Sequence, residues 1–377
     1  MKLAATTVRD ANLTQLELAG LDAEVNVADG HARQELSAGQ QRIIDHLPEL
    51  FTRAASRPVA ELQRAAHAAF FEVFGQHDRP RQPDQVLSCY SSSVAMEILA
   101  RSLVREVDTV ALLHPTFDNI PDILRGVGLR LLPLEEDVLG GGDLDRAIPP
   151  TVGCVFATTP NNPTGRVLPQ RRLRELADLC LARDLVLALD TSFRGFDVRA
   201  HYDHYAVLEA SRCRYVVIED TGKLWPTLDL KVGLLVSSGN VGLPLGLVYS
   251  DLLLGVSPLI LVIVERFALD AANGGLDGLH DHIRRNRELL RETLTGVPAV
   301  TFPDADSRVS VERLECQGWT GSEIWEVLRA RNVHVLPGRQ FYWADHARGE
   351  RFFRVALARP HRTVAAAARE LRQILSS

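Results

Sequence analysis

The sequence predicts an α/β protein whose mostly parallel central sheet carries helices on both faces, followed by a smaller α+β unit. Three observations carry this reading. Short apolar runs alternate with helical stretches from Val86 to Ile218. These runs are short and apolar, as buried strands are. Beyond about residue 297 the alternation gives way to mixed short strands and two helices. Strands separated by helices need crossover connections, which make neighbours parallel and cover both faces. Sheets of this kind bind ligands at the carboxyl ends of their strands.

Taken in order, Ile43, Ile44, Leu47, Leu50 and Phe51, then Leu62, Ala66, Ala69 and Phe70, recur at helical spacing between about Ser37 and Phe74. After Pro83, strands are expected at Val86–Tyr90, Thr109–Leu113, Leu129–Leu132, Gly153–Ala157, Leu185–Leu189 and Tyr215–Ile218. Helices are expected at Val94–Val104, Ile120–Gly126 and Gln170–Arg183, and one long helix from Pro258 to about Val297. Val309–Leu314, Val333–Leu336 and Phe352–Leu357 read as strands, Ser322–Arg331 and Thr363–Leu375 as helices. The chain thus divides into an N-terminal segment (1–36), a large α/β domain (37–297) and a small α+β domain (298–377).

The 377 residues, 46% apolar and 24% charged, suffice for one large and one small core. A net charge of −6 argues against a nucleic-acid surface, which needs a concentrated basic face. Five scattered cysteines, odd in number, do not suggest a disulfide framework or zinc site and fit a reducing cytoplasm. From Met1 to Thr7 no signal-like hydrophobic region develops before Arg9 and Asp10, so no export is expected. The apolar stretch Leu252–Val264 is interrupted by Ser257 and Pro258 and closed by Glu265 and Arg266. It therefore reads as a buried helix or subunit interface rather than a membrane span, and a homodimer is expected. His201 and His204 have metal-like spacing but lack further ligands, so they read as a surface loop; Arg171, Arg172 and Arg174 read as a solvated helix face.

The chemistry lies in three motifs, each at the end of an apolar run: Pro160–Gly165 (Pro-Asn-Asn-Pro-Thr-Gly), Asp190 and Lys223. Lys223 is one of only three lysines among 42 basic residues. A lysine able to form an imine, an acid for a pyridinium nitrogen and an Asn-Pro-Thr-Gly turn describe a pyridoxal phosphate site. The ring withdraws electrons only while its nitrogen is protonated, so a buried carboxylate such as Asp190 must face it. Lys223 holds the cofactor and, once released, can move protons at the substrate Cα.

With Ser91–Ser93 and Arg354, these motifs resemble fold type I pyridoxal phosphate enzymes of the aminotransferase class I/II group over nearly the whole chain. The resemblance implies that Asn162 contacts the cofactor's phenolic oxygen and Phe117 stacks on its ring. It implies that Ser92 and Ser93, at a helix start, bind phosphate, with Ser192 and Lys231 also on the cofactor, and that Arg354 takes a substrate α-carboxylate. Three positions depart from that group: Phe193 replaces a tyrosine, Asp220 a serine and Lys231 an arginine. Asp220 beside a phosphate is repulsive unless it faces a cation, which an arginine substrate would supply.

These departures, with Asn12–Glu17, Ala28–Arg33, Cys89–Val94, Asp190–Asp197 and Glu219–Asp229, resemble the pyridoxal phosphate- and oxygen-dependent L-arginine oxidases/hydroxylases of bacterial natural-product pathways such as that to L-enduracididine. That resemblance implies oxidation of L-arginine by O2, without metal or flavin, to 4-hydroxy-2-ketoarginine with 2-ketoarginine as by-product. It implies an N-terminal segment over the substrate, with Thr14, Glu17, Asp29 and Asn162 as contacts, Glu17 and Asp220 facing the guanidinium, and His31 handling the attacking water. Two bland alternatives stand beside it. Thr14 and Glu17 fit a helix capping box, and Asp29–His31 fits a local turn. Tyr249 and Ser250 are candidates to complete a partner's site. The rival functions are a conventional aminotransferase for a basic amino acid and a binding protein without turnover.

Overall fold

The computed structural model describes Val8 and residues 11–376, so the export reading of Met1–Thr7, Arg9 and Asp10 lies outside the described residues. In chain order the strands are β1 (Val25–Asn26), β2 (Val86–Cys89), β3 (Thr109–His114), β4 (Arg130–Glu135), β5 (Cys154–Thr158), β6 (Val186–Asp190), β7 (Arg214–Asp220) and β8 (Gly233–Ser237), followed by β9 (Val300–Thr301), β10 (Val311–Cys316), β11 (Val333–His334), β12 (Leu336–Pro337) and β13 (Phe352–Ala356).

Seven of them form the central sheet in the order β2-β8-β7-β6-β5-β3-β4, parallel except for β8, which runs against both neighbours. All six strands expected in this region are present. β8 is the one the sequence reading missed, because its run Gly-Leu-Leu-Val-Ser follows the site residues without an intervening helix. The period of two along a strand places Val155, Ala157, Leu187, Leu189 and Val217 in one core and Phe156, Val186, Ala188, Val216 and Ile218 in the other. Both faces are therefore dry, as a parallel sheet requires.

The single long helix expected after Pro258 is two helices, Pro258–Asp270 and Leu276–Leu294, interrupted where Asn273 and Gly274 leave helical geometry. Gly274 lies at φ 97°, a conformation open to glycine at no steric cost. Leu261–Val264, Phe267 and Ala268 are buried, and Arg53 from the helix Leu47–Ser56 reaches Glu265 at 2.8 Å. Among the described residues no helix is long and apolar enough to cross a membrane.

A four-stranded sheet, β12-β13-β10-β9, lies in the C-terminal part, and β1 pairs with β11, tying the N-terminal segment to that part of the chain. Two polar expectations are corrected. His204 is fully buried against Arg194, at 2.6 Å, because that guanidinium needs internal acceptors. Arg172 is buried and donates to the carbonyls of Val138, Leu139 and Gly142, closing a neighbouring helix end.

Candidate active site

Five segments leave the carboxyl ends of β2, β3, β5, β6 and β7 and converge on a cavity of about 340 Å3. The paired register Thr158↔Asp190 brings the ends of β5 and β6 level, so Asn162 and Asp190 meet at one rim. The Asn-Pro-Thr-Gly turn needs its glycine. Gly165 has φ 73°, and a side chain there would collide with Ser307. Gly233 on β8 has a similar steric role: a Cβ there would lie 2.4–2.6 Å from the backbone of Ser91 and Ser92, so only glycine lets the helix Ser92–Leu103 start this close to the sheet.

Lys223, Asp190, Ser92, Ser93, Phe117, Asn162, Ser192, Lys231, His31, Thr14, Glu17, Asp220 and Arg354 all line this cavity, together with Phe193. Asp29 does not. It lies behind His31, its Oδ1 accepting from the His31 backbone N–H at 2.6 Å and facing Nδ1 at 2.7 Å. The turn geometry anticipated for Asp29–His31 is therefore present, and it also orients the imidazole. Tyr249 donates to the carbonyl of Ser88 at 3.0 Å.

Asp190 is 6% exposed and receives both the N–H and the hydroxyl of Ser192 on Oδ1, at 2.9 and 2.5 Å. Burial nevertheless pushes its carboxyl up to about 6, against the lowering effect of those bonds. It is a buried acid short of a cation. Asp220 shows the opposite balance. Burial raises it, but the charges of Lys223 and Lys231 and bonds from Ser92 (2.6 Å) and the Gly222 N–H (2.6 Å) hold it below its ordinary value. The cation that Asp220 was expected to need from a substrate is already supplied by the chain's own lysines.

Glu17 belongs to the short helix Leu13–Ala19 and is paired with Arg354 at 3.0 Å while accepting the Gly30 N–H at 3.2 Å. Arg354 is 1% exposed, also donates to Asn162 at 3.3 Å and to the Ala28 carbonyl, and lies over the Phe341 ring at 5.4 Å. The capping box of this helix is built from Asn12 and Gln15 rather than Thr14 and Glu17, because the helix starts at Leu13 and its third residue is Gln15. Thr14 and Glu17 are thus free of capping duty.

His31 faces Lys231 Nζ at 2.8 Å through Nε2. The positive charge of Lys223 and then burial lower its pKa, partly offset by Asp29. Sequence reasoning missed Arg359, Arg33 and Asp229. Arg359 reaches Asp29, His31 and Asn26, and Arg33 bridges Asp29 and Asp229. Only Arg33 and Asp229 fell within quoted motifs, and nothing in the local pattern marks Arg359.

The residues fit pyridoxal phosphate. Asp190 lacks the cation a pyridinium would provide, the first turn of the helix Ser92–Leu103 and Lys231 offer N–H groups and charge to an anion, and Lys223 opens into the same space.

A family model described as aminotransferase class I and II matches residues 41–371. The chain is 57% identical to a solved structure of MppP soaked with the product 2-ketoarginine, with a TM-score of 0.92, covering 94% of this chain and all of that one. Aspartate aminotransferase from Thermus thermophilus with maleate has the same fold at 17% identity, with a TM-score of 0.79 over 97% of this chain and 96% of that one. Arginine–pyruvate transaminase AruH of Pseudomonas aeruginosa is 23% identical over 266 residues, 68% of this chain and 67% of that protein.

Proposed function

The chain belongs to the aminotransferase class I and II family, and from that membership we propose that it is a pyridoxal phosphate-dependent oxidase of L-arginine that spends dioxygen rather than a keto acid. The carrying observation is its 57% identity to the MppP structure soaked with 2-ketoarginine. One molecule of O2 and one of water convert arginine to 2-ketoarginine, ammonia and hydrogen peroxide. A second O2 and a second water give 4-hydroxy-2-ketoarginine and a second peroxide. This activity belongs in the cytoplasm, in a homodimer serving arginine-derived natural-product biosynthesis such as that of enduracididine.

Bound pyridoxal phosphate supplies an aldehyde that condenses with amines and a pyridinium that withdraws electrons from the substrate carbon. With the cofactor bound, Asp190 would hold the ring nitrogen protonated, Ser92, Ser93 and Lys231 would hold the phosphate, and Ser192, bonded to Asp190, would contact the cofactor beside it. Phe117 would stack on the ring, and Asn162 would donate to its phenolic oxygen where Phe193 cannot. Arg354 exchanges Glu17 for the substrate α-carboxylate, and Glu17 turns to the guanidinium, while Thr14 and the Asp29 loop close over it. Sheltered charge-assisted bonds of this kind contribute about 1.5–3 kcal/mol each. Lys223 takes the proton from Cα, and His31 accepts one from the water that attacks Cγ.

The reading is tested by oxygen uptake. Cofactor-loaded protein given L-arginine and no keto acid should consume O2 and release peroxide, with both keto acids identified by mass spectrometry. The kinship to arginine–pyruvate transaminase supports a second reading, amino transfer from a basic amino acid. Turnover that needs an added keto acid and leaves O2 untouched establishes that reading and removes the first.

A further inference from the structure

His31 has one neighbour on each ring nitrogen, and the chemistry of those neighbours fixes its tautomer. An ionised carboxylate only accepts, so Nδ1, 2.7 Å from Asp29, carries the proton. An ammonium only donates, so Nε2, 2.8 Å from Lys231, presents its lone pair. The remaining charged groups facing the ring are Lys223 and, 3.9 Å from Nε2, Asp229. The tautomer therefore depends on Asp29 staying ionised and in place, 1% exposed, on a loop between helix and sheet.

Two arginines could secure it. Arg33 reaches Asp29 Oδ2 at 3.2 Å, but a third of its side chain faces solvent, where screening weakens its hold. Arg359 is 2% exposed. Its guanidinium pairs with Asp29 Oδ2 at 3.3 Å and donates to the carbonyls of Asn26 (2.9 Å), His31 (2.6 Å), Ala358 (3.0 Å) and Asp29. It grips the side chain and the backbone of the same loop from the end of β13.

We propose that Arg359 is a positioning residue for His31, acting through Asp29 to impose the Nδ1–H tautomer and leave Nε2 as the basic atom. The proposal rests on the proton role given to His31 only for its consequence in products; its structural content is independent of that role. With Arg359 neutralised, the Asp29 charge acts undiminished on the imidazole and raises its proton affinity. With Asp29 neutralised, the surrounding lysines dominate and lower it.

The test is a pH titration of the cofactor-loaded protein by histidine-selective 13C/15N NMR, with the His31 signals identified by their absence in His31→Gln. Arg359→Gln should move the His31 titration to higher pH and Asp29→Asn to lower pH, opposite signs that a merely structural loss does not produce. Arg359→Lys, which keeps the charge and loses the fork, should mix the two tautomers, and this effect should vanish in an Asp29→Asn background. Should Arg359→Gln fail to fold, this pair of lysine variants decides alone. Unchanged tautomer and titration in Arg359→Lys, or an equal effect with and without Asp29, overturns the proposal. The hydroxylated product should also fall roughly tenfold relative to 2-ketoarginine in Arg359→Lys, with oxygen uptake retained. An unchanged ratio beside the expected spectra removes the proton role of His31 and leaves the position of Arg359 standing.

Discussion

Asp190 carries a cost that a facing pyridinium would remove. Its carboxyl is raised to about 6 from an ordinary 3.8, so keeping it ionised in the apoprotein at pH 7 costs on the order of 3 kcal/mol. As pH falls from about 6 to about 4, the folded protein takes up this proton before the unfolded chain does, and the penalty disappears. Asp190→Asn apoprotein should therefore melt above the wild type at pH 7 and level with it at pH 4, while turnover falls roughly 10²–10³-fold. Calorimetry across pH checks the first, oxygen uptake the second. At this scale the sequence was informative because cofactor chemistry demands residue types: Lys223, Asp190 and Asn162 are readable as letters in order. The partner of Glu17 was not readable, because the cation that faces it, Arg354 at 3.0 Å, comes from a chain segment hundreds of positions away.

The helix Leu13–Ala19 contributes Thr14 and Glu17 to the cavity wall and is held at its N-terminal end. Its first N–H, at Leu13, is bonded to Asp118 Oδ2 at 2.6 Å in addition to the Asn12 cap, and Gln340 holds the carbonyls of Val8 and Ala11. Burial pushes the Asp118 carboxyl up to about 7. Asp118→Ala should weaken this helix locally by about 1 kcal/mol, read as roughly fivefold faster amide exchange over residues 13–19, whereas Asp118→Asn keeps an acceptor and should match the wild type. Little of this was legible in the sequence, since the helix is only seven residues long and its anchor lies 105 positions away. β3, β5 and β6 were legible because their full burial writes itself as apolar runs set between helical stretches. The break at Gly274 was legible only in principle: Asn273-Gly274-Gly275 lies in the middle of a helical pattern whose flanks speak louder than its centre.

For the molecule as a whole, the cofactor should stabilise the fold, by about 3 kcal/mol at a hundred times its dissociation constant. On the proposed pairing of Asp190 with the pyridinium, that gain should shrink as pH drops below about 6, because the carboxyl must then give up a proton to make the pair, and Asp190→Asn should flatten the dependence. Thermal shifts of the apo and loaded protein across pH read this directly. The overall architecture followed from texture alone, whereas the antiparallel β8 and the pairing of β1 with β11 depend on long-range closure that no local pattern encodes. The concentration of both described lysines, Lys223 and Lys231, on one cavity has a practical side. Apart from Lys2, coupling chemistries aimed at lysine have no target but the working end, so a lysine tether that spares Lys2 would hold the protein by its mouth. A lysine-specific protease, by the same token, cuts after 2, 223 and 231, and borohydride reduction of the loaded protein would erase the cut at 223 if the proposed imine is there, marking the attached cofactor by a single missing peptide boundary.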